Sequence, residues 1–183
     1  MSFKRNGFSL IEVMVSLVIL VIGLIGIFNL HIVSKQGSFE SFQQTQASYY
    51  ANDIINRMRL NVSELSNYGS SAGTKYTSPS STRPKECSNA NLCSTSELLA
   101  WDLYEWQSLF VGDLEVSSEE GSVGGLPSPE ACIFVNSNDV TVVITWQTVR
   151  NFNASNENYS DLVKLCDSSG AKRRIYEVKT AIY

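Results

Sequence analysis

The side chains that could carry out chemistry are few in this 183-residue chain: four cysteines, one histidine and a carboxylate at the edge of a long apolar run. A Ser-His-Asp or Cys-His catalytic arrangement would have to form around His31, the only histidine. The glycine cluster in residues 121–125 precedes Leu-Pro and not a helix, so it does not have the pattern of a phosphate-binding loop. We therefore predict no enzymatic activity, no catalytic residue and no cofactor.

The charge balance excludes one class of partner. Fourteen basic residues stand against eighteen acidic ones, a net charge of −4, and no long stretch gathers the basic residues. A protein that coats nucleic acid needs a basic surface. We therefore expect no specific nucleic-acid binding, and we interpret the short basic cluster at residues 172–174 as a solvated strand end.

The carboxylate at the edge of the apolar run is Glu12, and no Asp, Glu, Lys or Arg occurs in residues 13–30. Those eighteen residues span about 27 Å as a helix, enough for a bilayer core. A cleaved secretory signal would need a small-x-small site after the apolar core, and none is visible. An ordinary signal anchor fits the length but does not explain Glu12, because a charge deep in a membrane costs about 3 kcal/mol.

A third interpretation explains these features together, because a leader with Lys4 and Arg5 is followed by Gly7-Phe8-Ser9-Leu10-Ile11-Glu12. This segment resembles the processing site of a type IV prepilin. The resemblance implies that a prepilin peptidase cuts between Gly7 and Phe8 and then N-methylates Phe8. It also implies an assembly role for Glu12, the fifth residue of the mature chain, whose carboxylate meets the N-terminal amine of a neighbouring subunit. The basic leader stays in the cytoplasm by the positive-inside rule, so the rest is delivered outside.

Four segments follow from this interpretation. Residues 1–7 are the leader, 8–30 the transmembrane and assembly helix, 31–60 the amphipathic second half of the same helix, and 61–183 an exported globular domain. In the second half, apolar side chains recur at helical spacing and predict the core-facing side: Phe39, Phe42, Tyr49, Ile54 and Met58, flanked by Tyr50 and Ile55. The side chains that fall mainly between them predict the polar side: Gln43, Gln44, Asp53 and Arg57.

Two short motifs resemble PilV-type minor pilins in particular. One closes the long helix as Arg57-Met58-Arg59-Leu60-Asn61, and the other is the spacing of Asp102 and Trp106. Taken alone, the first motif is also what a helix dipole favours at a C-terminus. No proline precedes Pro79, whereas major pilins often carry one in the apolar segment, and this departure favours a minor subunit.

The exported half predicts a second helix and a sheet. Residues 61–96 include ten serines and predict irregular surface structure, whereas 97–110 predict an amphipathic helix whose Trp101 and Trp106 pack in the core. Three segments have strand composition: 131–135, 140–146 and 175–182. Residues 136–139 are typical of a hairpin turn between the first two strands. Together with the resemblance, these elements predict an α+β pilin fold, a long N-terminal helix packed on an antiparallel sheet.

The four cysteines are disulfide candidates, because an exported domain meets an oxidising compartment. Three connectivities are open and the sequence alone does not select one. We prefer Cys87 with Cys93, which closes a local loop, and Cys132 with Cys166, which ties a strand to the Asn-rich region. Zinc binding is the alternative, but no CxxC and no histidine pair is present, so we predict no metal site.

The sequence thus predicts a structural minor pilin that helps to initiate type IV pilus assembly, sits at the pilus tip and supports twitching, adhesion or DNA uptake. Its expected partners are the prepilin peptidase, other minor pilins, the major pilin and, before assembly, the inner membrane. Before assembly the C-terminal domain is expected in the periplasm, and afterwards the chain is part of the surface pilus. Two alternatives stay open: a minor pseudopilin of type II secretion and a pilus-tip adhesin.

Overall fold

The computed structural model describes residues 7, 9–113, 115–117, 121–122, 124–148, 160–166 and 172–183. The chain consists of two compact units, Met1–Ser41 and Phe42–Tyr183. Helix α1 runs over Leu10–Leu60 and contributes to both units. The first unit is the N-terminal part of this helix, in which residues 10–34 are exposed. All other elements lie in the second unit.

The second unit is built from short helices and an antiparallel sheet. A 3₁₀ turn at Val62–Glu64 and helix α2 at Leu65–Tyr68 follow α1, and strand β1 covers Thr74–Tyr76. Helix α3 spans Thr95–Val111. The remaining elements, in chain order, are β2 at Val116–Ser117, β3 at Gly121–Ser122, β4 at Glu130–Asn136, β5 at Asp139–Gln147, α4 at Asp161–Cys166 and β6 at Arg173–Ala181.

Four strands form the main sheet in the order β1-β4-β5-β6, with antiparallel pairing throughout, and β2 pairs with β3 as a separate ribbon. The predicted α+β pilin fold is confirmed. The hairpin joins β4 and β5 as expected, with Asn136 opposite Asp139, and Ser137 adopts a left-handed φ of 54° in the turn. A serine tolerates that conformation in a tight turn because its short polar side chain satisfies local backbone groups.

Strands β4 and β5 are buried on both faces. Ala131, Ile133 and Val135 of β4 pack with α1, α2 and α3 in the larger core, whereas Cys132 and Phe134 pack on the opposite face with residues of α4. This two-sided burial explains why both strands have continuous apolar sequences instead of an alternating pattern. The predicted strand at 175–182 is confirmed as β6, shifted by two residues at its start and one at its end.

The core-facing side of α1 in the second unit differs from the prediction. The buried residues follow a seven-residue period and include two alanines and a glutamine: Gln43, Ala47, Tyr50, Ala51, Ile54, Ile55 and Met58. Ile54 and Met58 were placed correctly, but Phe42 and Tyr49 are 57 % and 61 % exposed. The prediction gave weight to the largest side chains, whereas the buried stripe also includes Ala47 and Ala51, each at 0 % exposure.

Residues 61–96 are also more ordered than predicted. Leu65 and Tyr68 of α2 are buried in the larger core, and β1 pairs with β4 at the sheet edge. Helix α3 is confirmed, and a capping box explains its start, since the Ser94 hydroxyl accepts from the Glu97 N–H while the Glu97 carboxylate accepts from the Ser94 N–H. It ends at Gly112, whose φ of 86° is the left-handed cap conformation that glycine adopts without strain.

The structure joins Cys87 to Cys93 and Cys132 to Cys166, the pairs preferred from the sequence. The second bond links the centre of β4 to the end of α4, and its two sulfurs lie in the smaller core cluster with Phe134, Val143 and Val163. A disulfide that closes a loop of this length stabilises a fold by about 3–4 kcal/mol. Of the Asn-rich region at residues 151–160, the structure describes only Ser160.

Candidate functional site

The N-terminal segment presents a single carboxylate at the start of a long apolar helix. Glu12 lies in the first turn of α1, where its N–H donates to the Ser9 carbonyl at 3.0 Å and its own carbonyl accepts the Ser16 hydroxyl at 2.8 Å. Both bonds involve the backbone of Glu12. The residue is exposed, and no hydrogen bond or ion pair of its carboxylate is found within the part of the chain that the structure describes.

The helix surface around Glu12 is apolar and uncovered. All large apolar side chains from Leu10 to Val33 are at least 43 % exposed, and one 18-residue window reaches a mean hydropathy of 2.8 with no residue buried. A water-soluble monomer rarely exposes an apolar patch of more than a few hundred Å². By length and composition this helix can cross a membrane. Its surface therefore needs lipid or other apolar helices around it.

Gly7 meets no structural constraint from the described part of the chain. Gly7 is exposed, and a Cβ built on it would meet no heavy atom within 4 Å. Lys4, Arg5 and Phe8 lie outside the described residues. A requirement for glycine at position 7 would therefore come from a partner and not from this fold.

A second polar site lies in the globular unit, where the two motifs singled out in the sequence meet. The Arg57 guanidinium at the end of α1 contacts three carboxylates: Asp53 at 2.9 Å, Glu105 at 2.7 Å and Asp102 at 3.2 Å. The other oxygen of Asp102 accepts the Tyr68 hydroxyl at 2.6 Å. We call these five residues the Arg57 cluster. It joins α1, α2 and α3 through side chains that are far apart in sequence.

The rest of both motifs contributes to the same docking of α3 on α1. The Asn61 amide donates to the Thr95 carbonyl at 2.9 Å, at the start of α3. The Trp106 indole N–H donates to the Tyr50 carbonyl at 2.8 Å, and Trp106 is completely buried. Arg59 instead reaches the sheet, where its guanidinium donates to the Thr180 hydroxyl at 3.1 Å. The motif residues therefore hold the second half of the long helix to the globular domain.

Burial and charge shift two ionisation equilibria in the Arg57 cluster. Burial raises the pKa of Tyr68 above its ordinary value, and the hydrogen bond to Asp102 raises it further, so the phenol stays protonated as a donor. Burial by itself lowers the pKa of Arg57, but the bonds to Glu105 and Asp53 outweigh it, and the net shift is upward. The cluster is a structural charge network in which every member has a partner.

The sequence did not reveal Asp53, Tyr68 and Glu105 as members of the Arg57 cluster. Asp53 precedes Arg57 by four residues, which is the spacing of an ion pair on a helix. Glu105 follows Asp102 by three residues, so a helix places these two carboxylates on the same side. Tyr68 lies in the segment predicted to be irregular, and no local pattern marks it.

We expect Arg57→Met to lower the free energy of unfolding by about 3 kcal/mol, because it leaves Asp102, whose side chain is 8 % exposed, without its cation. Chemical unfolding of the full chain in micelles, followed by tryptophan fluorescence, measures the change. The matched control is Arg83→Met, whose ion pair with Glu86 is exposed on both sides and is worth at most about 1 kcal/mol. An equal loss in the two variants would contradict a structural role for the cluster.

Among the described residues, no group of three or more His, Cys, Asp and Glu side chains is placed to hold a metal ion. The four cysteines form two disulfides, so none has a free thiol. His31, the residue around which a catalytic arrangement would have to form, is exposed on the apolar helix.

Two protein-family models match the chain. Residues 2–28 match the prokaryotic N-terminal methylation motif, and residues 30–104 match type IV pilin Tt1218. The second match covers the end of α1 and most of α3, including Arg57 and Asp102. No curated protein and no solved structure matches the chain. The chain is thus similar to prepilins in its methylation motif and to a type IV pilin over residues 30–104, which follow it.

Proposed function

We propose that this chain is a minor pilin of the PilV type, a structural subunit that joins other minor pilins at the tip of a type IV pilus and helps to initiate its assembly. The methylation motif over residues 2–28 and the pilin match over residues 30–104 support the pilin role. In this role the chain supports twitching, adhesion or DNA uptake and needs no chemistry of its own.

The observation that carries the proposal is the lone Glu12 carboxylate on an exposed apolar helix. A charge among apolar surroundings is unfavourable until an opposite charge pairs with it. Cleavage after Gly7 would place a new amine at Phe8, four residues before Glu12. Four residues of helix rise about 6 Å, so a neighbouring chain shifted by about that distance along the bundle would supply its amine at the height of Glu12.

The peptidase step follows from the same segment. Gly7 has open space around it in the described chain, so recognition by a prepilin peptidase is what would demand glycine there. The peptidase then transfers a methyl group to the Phe8 amine. Before assembly the helix lies in the inner membrane with the globular unit in the periplasm, and afterwards it lies among the helices of the pilus.

The Arg57 cluster supports the PilV-type assignment over a minor pseudopilin of type II secretion. Two of its residues, Arg57 and Asp102, come one from each of the two motifs that resemble PilV-type minor pilins, and they contact each other at 3.2 Å. The two motifs are therefore parts of one packing arrangement, in which α3 contacts the end of α1. The identity of the neighbouring genes, pilin or secretion, separates the two candidates.

Recovery from sheared pili tests the proposal. We expect the chain in the pilus fraction in a small amount relative to the major subunit, and we expect a strain without it to make fewer pili until the gene is restored. A chain that stays in the membrane fraction of a piliated strain, with normal piliation in its absence, would contradict the proposal and favour the secretion alternative.

A further inference from the structure

The outer face of α3 carries two adjoining grooves that the pilus role does not use. The first, which we call the Trp101 groove, has a volume of about 260 Å³ and is lined by Arg83, Glu86, Trp101, Tyr104, Glu105 and Ser108. The second, which we call the Pro84 groove, has a volume of about 290 Å³ and is lined partly by Thr82, Pro84, Leu103 and Tyr104. Tyr104 is common to both, and their joint volume is within the range of small-ligand sites, about 300–1,000 Å³.

Trp101 is not a core residue, contrary to the sequence prediction. It is half-buried at the surface, where its ring stacks on Tyr104 with centroids 6.0 Å apart and an interplanar angle of 30°. The Arg83 guanidinium lies 5.4 Å from the centre of the Trp101 ring. Trp101 and Tyr104 are thus two partly exposed aromatic rings in one groove, with Arg83 over Trp101, and together they give the groove an apolar platform.

The charges around this platform are already paired. Arg83 contacts Glu86 at 2.9 Å, and Glu105 contacts Arg57 of the cluster behind the groove at 2.7 Å. Paired carboxylates keep free lone pairs and continue to accept hydrogen bonds. The groove therefore favours a ligand that is uncharged and rich in donors, and its two carboxylates disfavour an anionic ligand.

The loop that forms the other wall of the grooves is fastened to α3. The Cys87–Cys93 disulfide closes the segment directly after this wall, and the Lys85 ammonium donates to the Leu92 carbonyl at 2.9 Å and contacts Glu97 in the first turn of α3 at 3.1 Å. Arg83 and Pro84 directly precede Lys85. The wall is thus held in place before any ligand arrives, which lowers the ordering cost of binding.

We propose that these two grooves bind a neutral saccharide, with a sugar ring packed against the Trp101 and Tyr104 rings and its hydroxyl groups donating to Glu86 and Glu105. A pyranose has an apolar face of C–H groups and an edge of hydroxyl donors, and the grooves offer both complements. The Pro84 groove continues the site beyond Tyr104 and gives room for a second sugar ring. This binding function does not depend on where the chain sits in a pilus.

Isothermal titration calorimetry of the full chain tests the site, in micelles of a detergent without sugar headgroups. The probes are three neutral trisaccharides, cellotriose, chitotriose and maltotriose, with sialyllactose as the anionic comparison. We expect saturable heat with at least one neutral probe and weaker binding of sialyllactose. We expect Tyr104→Ala to weaken that binding about tenfold, because it removes the ring shared by both grooves. Tyr104→Phe keeps the ring and should retain most of the affinity.

Tyr49→Ala is the matched control, because Tyr49 is 61 % exposed on α1 and lines neither groove. The proposal is overturned if none of the neutral probes gives saturable heat, if Tyr104→Ala binds as tightly as the unmodified chain, or if sialyllactose binds best. Loss of the Tyr104→Ala chain from sheared pili without any sugar binding would identify this face as a contact between subunits and would also overturn it.

Discussion

Replacing Glu12 with alanine should leave the chain cleaved and inserted in the membrane but lower its recovery in sheared pili at least about tenfold. The expected loss is large because the N-terminal amine of a neighbouring subunit would then enter an apolar bundle without its counter-charge. Removing one partner of a buried ion pair is more costly than never forming the pair. Quantitative mass spectrometry of the pilus and membrane fractions measures the ratio.

Two further variants separate this role from a simple helix effect. A glutamate that only complements its own helix dipole contributes about 0.3–1 kcal/mol, so Glu12→Ala would then change recovery only slightly. Ser16→Ala, one turn further along α1, removes a hydroxyl bonded to the Glu12 carbonyl and leaves the carboxylate in place. Recovery should be near normal for Ser16→Ala. Normal stoichiometry of Glu12→Ala in the pili would show that the intersubunit role is wrong.

Replacing Gly7 with leucine should leave the leader attached and slow its removal by about a hundredfold. A bulky side chain beside the scissile bond displaces that bond from the peptidase, and misplacement by about 1 Å costs on the order of a hundredfold in rate. Gly7 has no described atom within 4 Å of a built Cβ, so the substitution should not disturb this fold. The mass of the membrane-extracted chain shows whether Lys4 and Arg5 are retained.

Gly37→Leu is the matched control for this experiment. Gly37 lies in α1, and a Cβ built there also meets no atom within 4 Å. The control chain should be cleaved normally because position 37 is remote from the processing site. A Gly7→Leu chain that begins at methylated Phe8 would exclude the proposed recognition.

The elements with a strong local signal were predicted well from the sequence. Strands β4 and β5 are runs of β-branched residues separated by turn residues, and the serine before α3 together with Glu97 marks a capping box. These signals act within a few residues, so the sequence displays them directly. The apolar run and Glu12 are equally local, which is why the candidate assembly segment could be recognised without coordinates.

The orientation of side chains on α1 could not be predicted in the same way. Gln43 is 2 % exposed and Phe42 is 57 % exposed, whereas their polarities predict an exposed glutamine and a buried phenylalanine. The rotation of the helix depends on the whole stripe that is buried in the core, and this stripe includes the alanines at 47 and 51. A single sequence does not show what α1 packs against. A prediction from hydrophobic periodicity therefore misses a buried side of the helix that contains small side chains.

Trp101 and Trp106 show the same limit within α3. The two are five residues apart, which places them on different sides of a helix, and only Trp106 reaches the core. The sequence prediction placed both in the core, and for Trp101 it was wrong. Asp102 faces Arg57 of α1 and Trp106, one turn further along, lies on the same side in the core, whereas Trp101 lies at the surface beside Arg83.

The most direct test of the pilin assignment is the N-terminal peptide of the unmodified chain recovered from sheared pili. The account predicts a peptide that begins with N-methylated Phe8 and contains Glu12, with no peptide from residues 1–7. A chain that retains Lys4 and Arg5 in the pilus fraction, or begins at an unmethylated residue elsewhere, would contradict it.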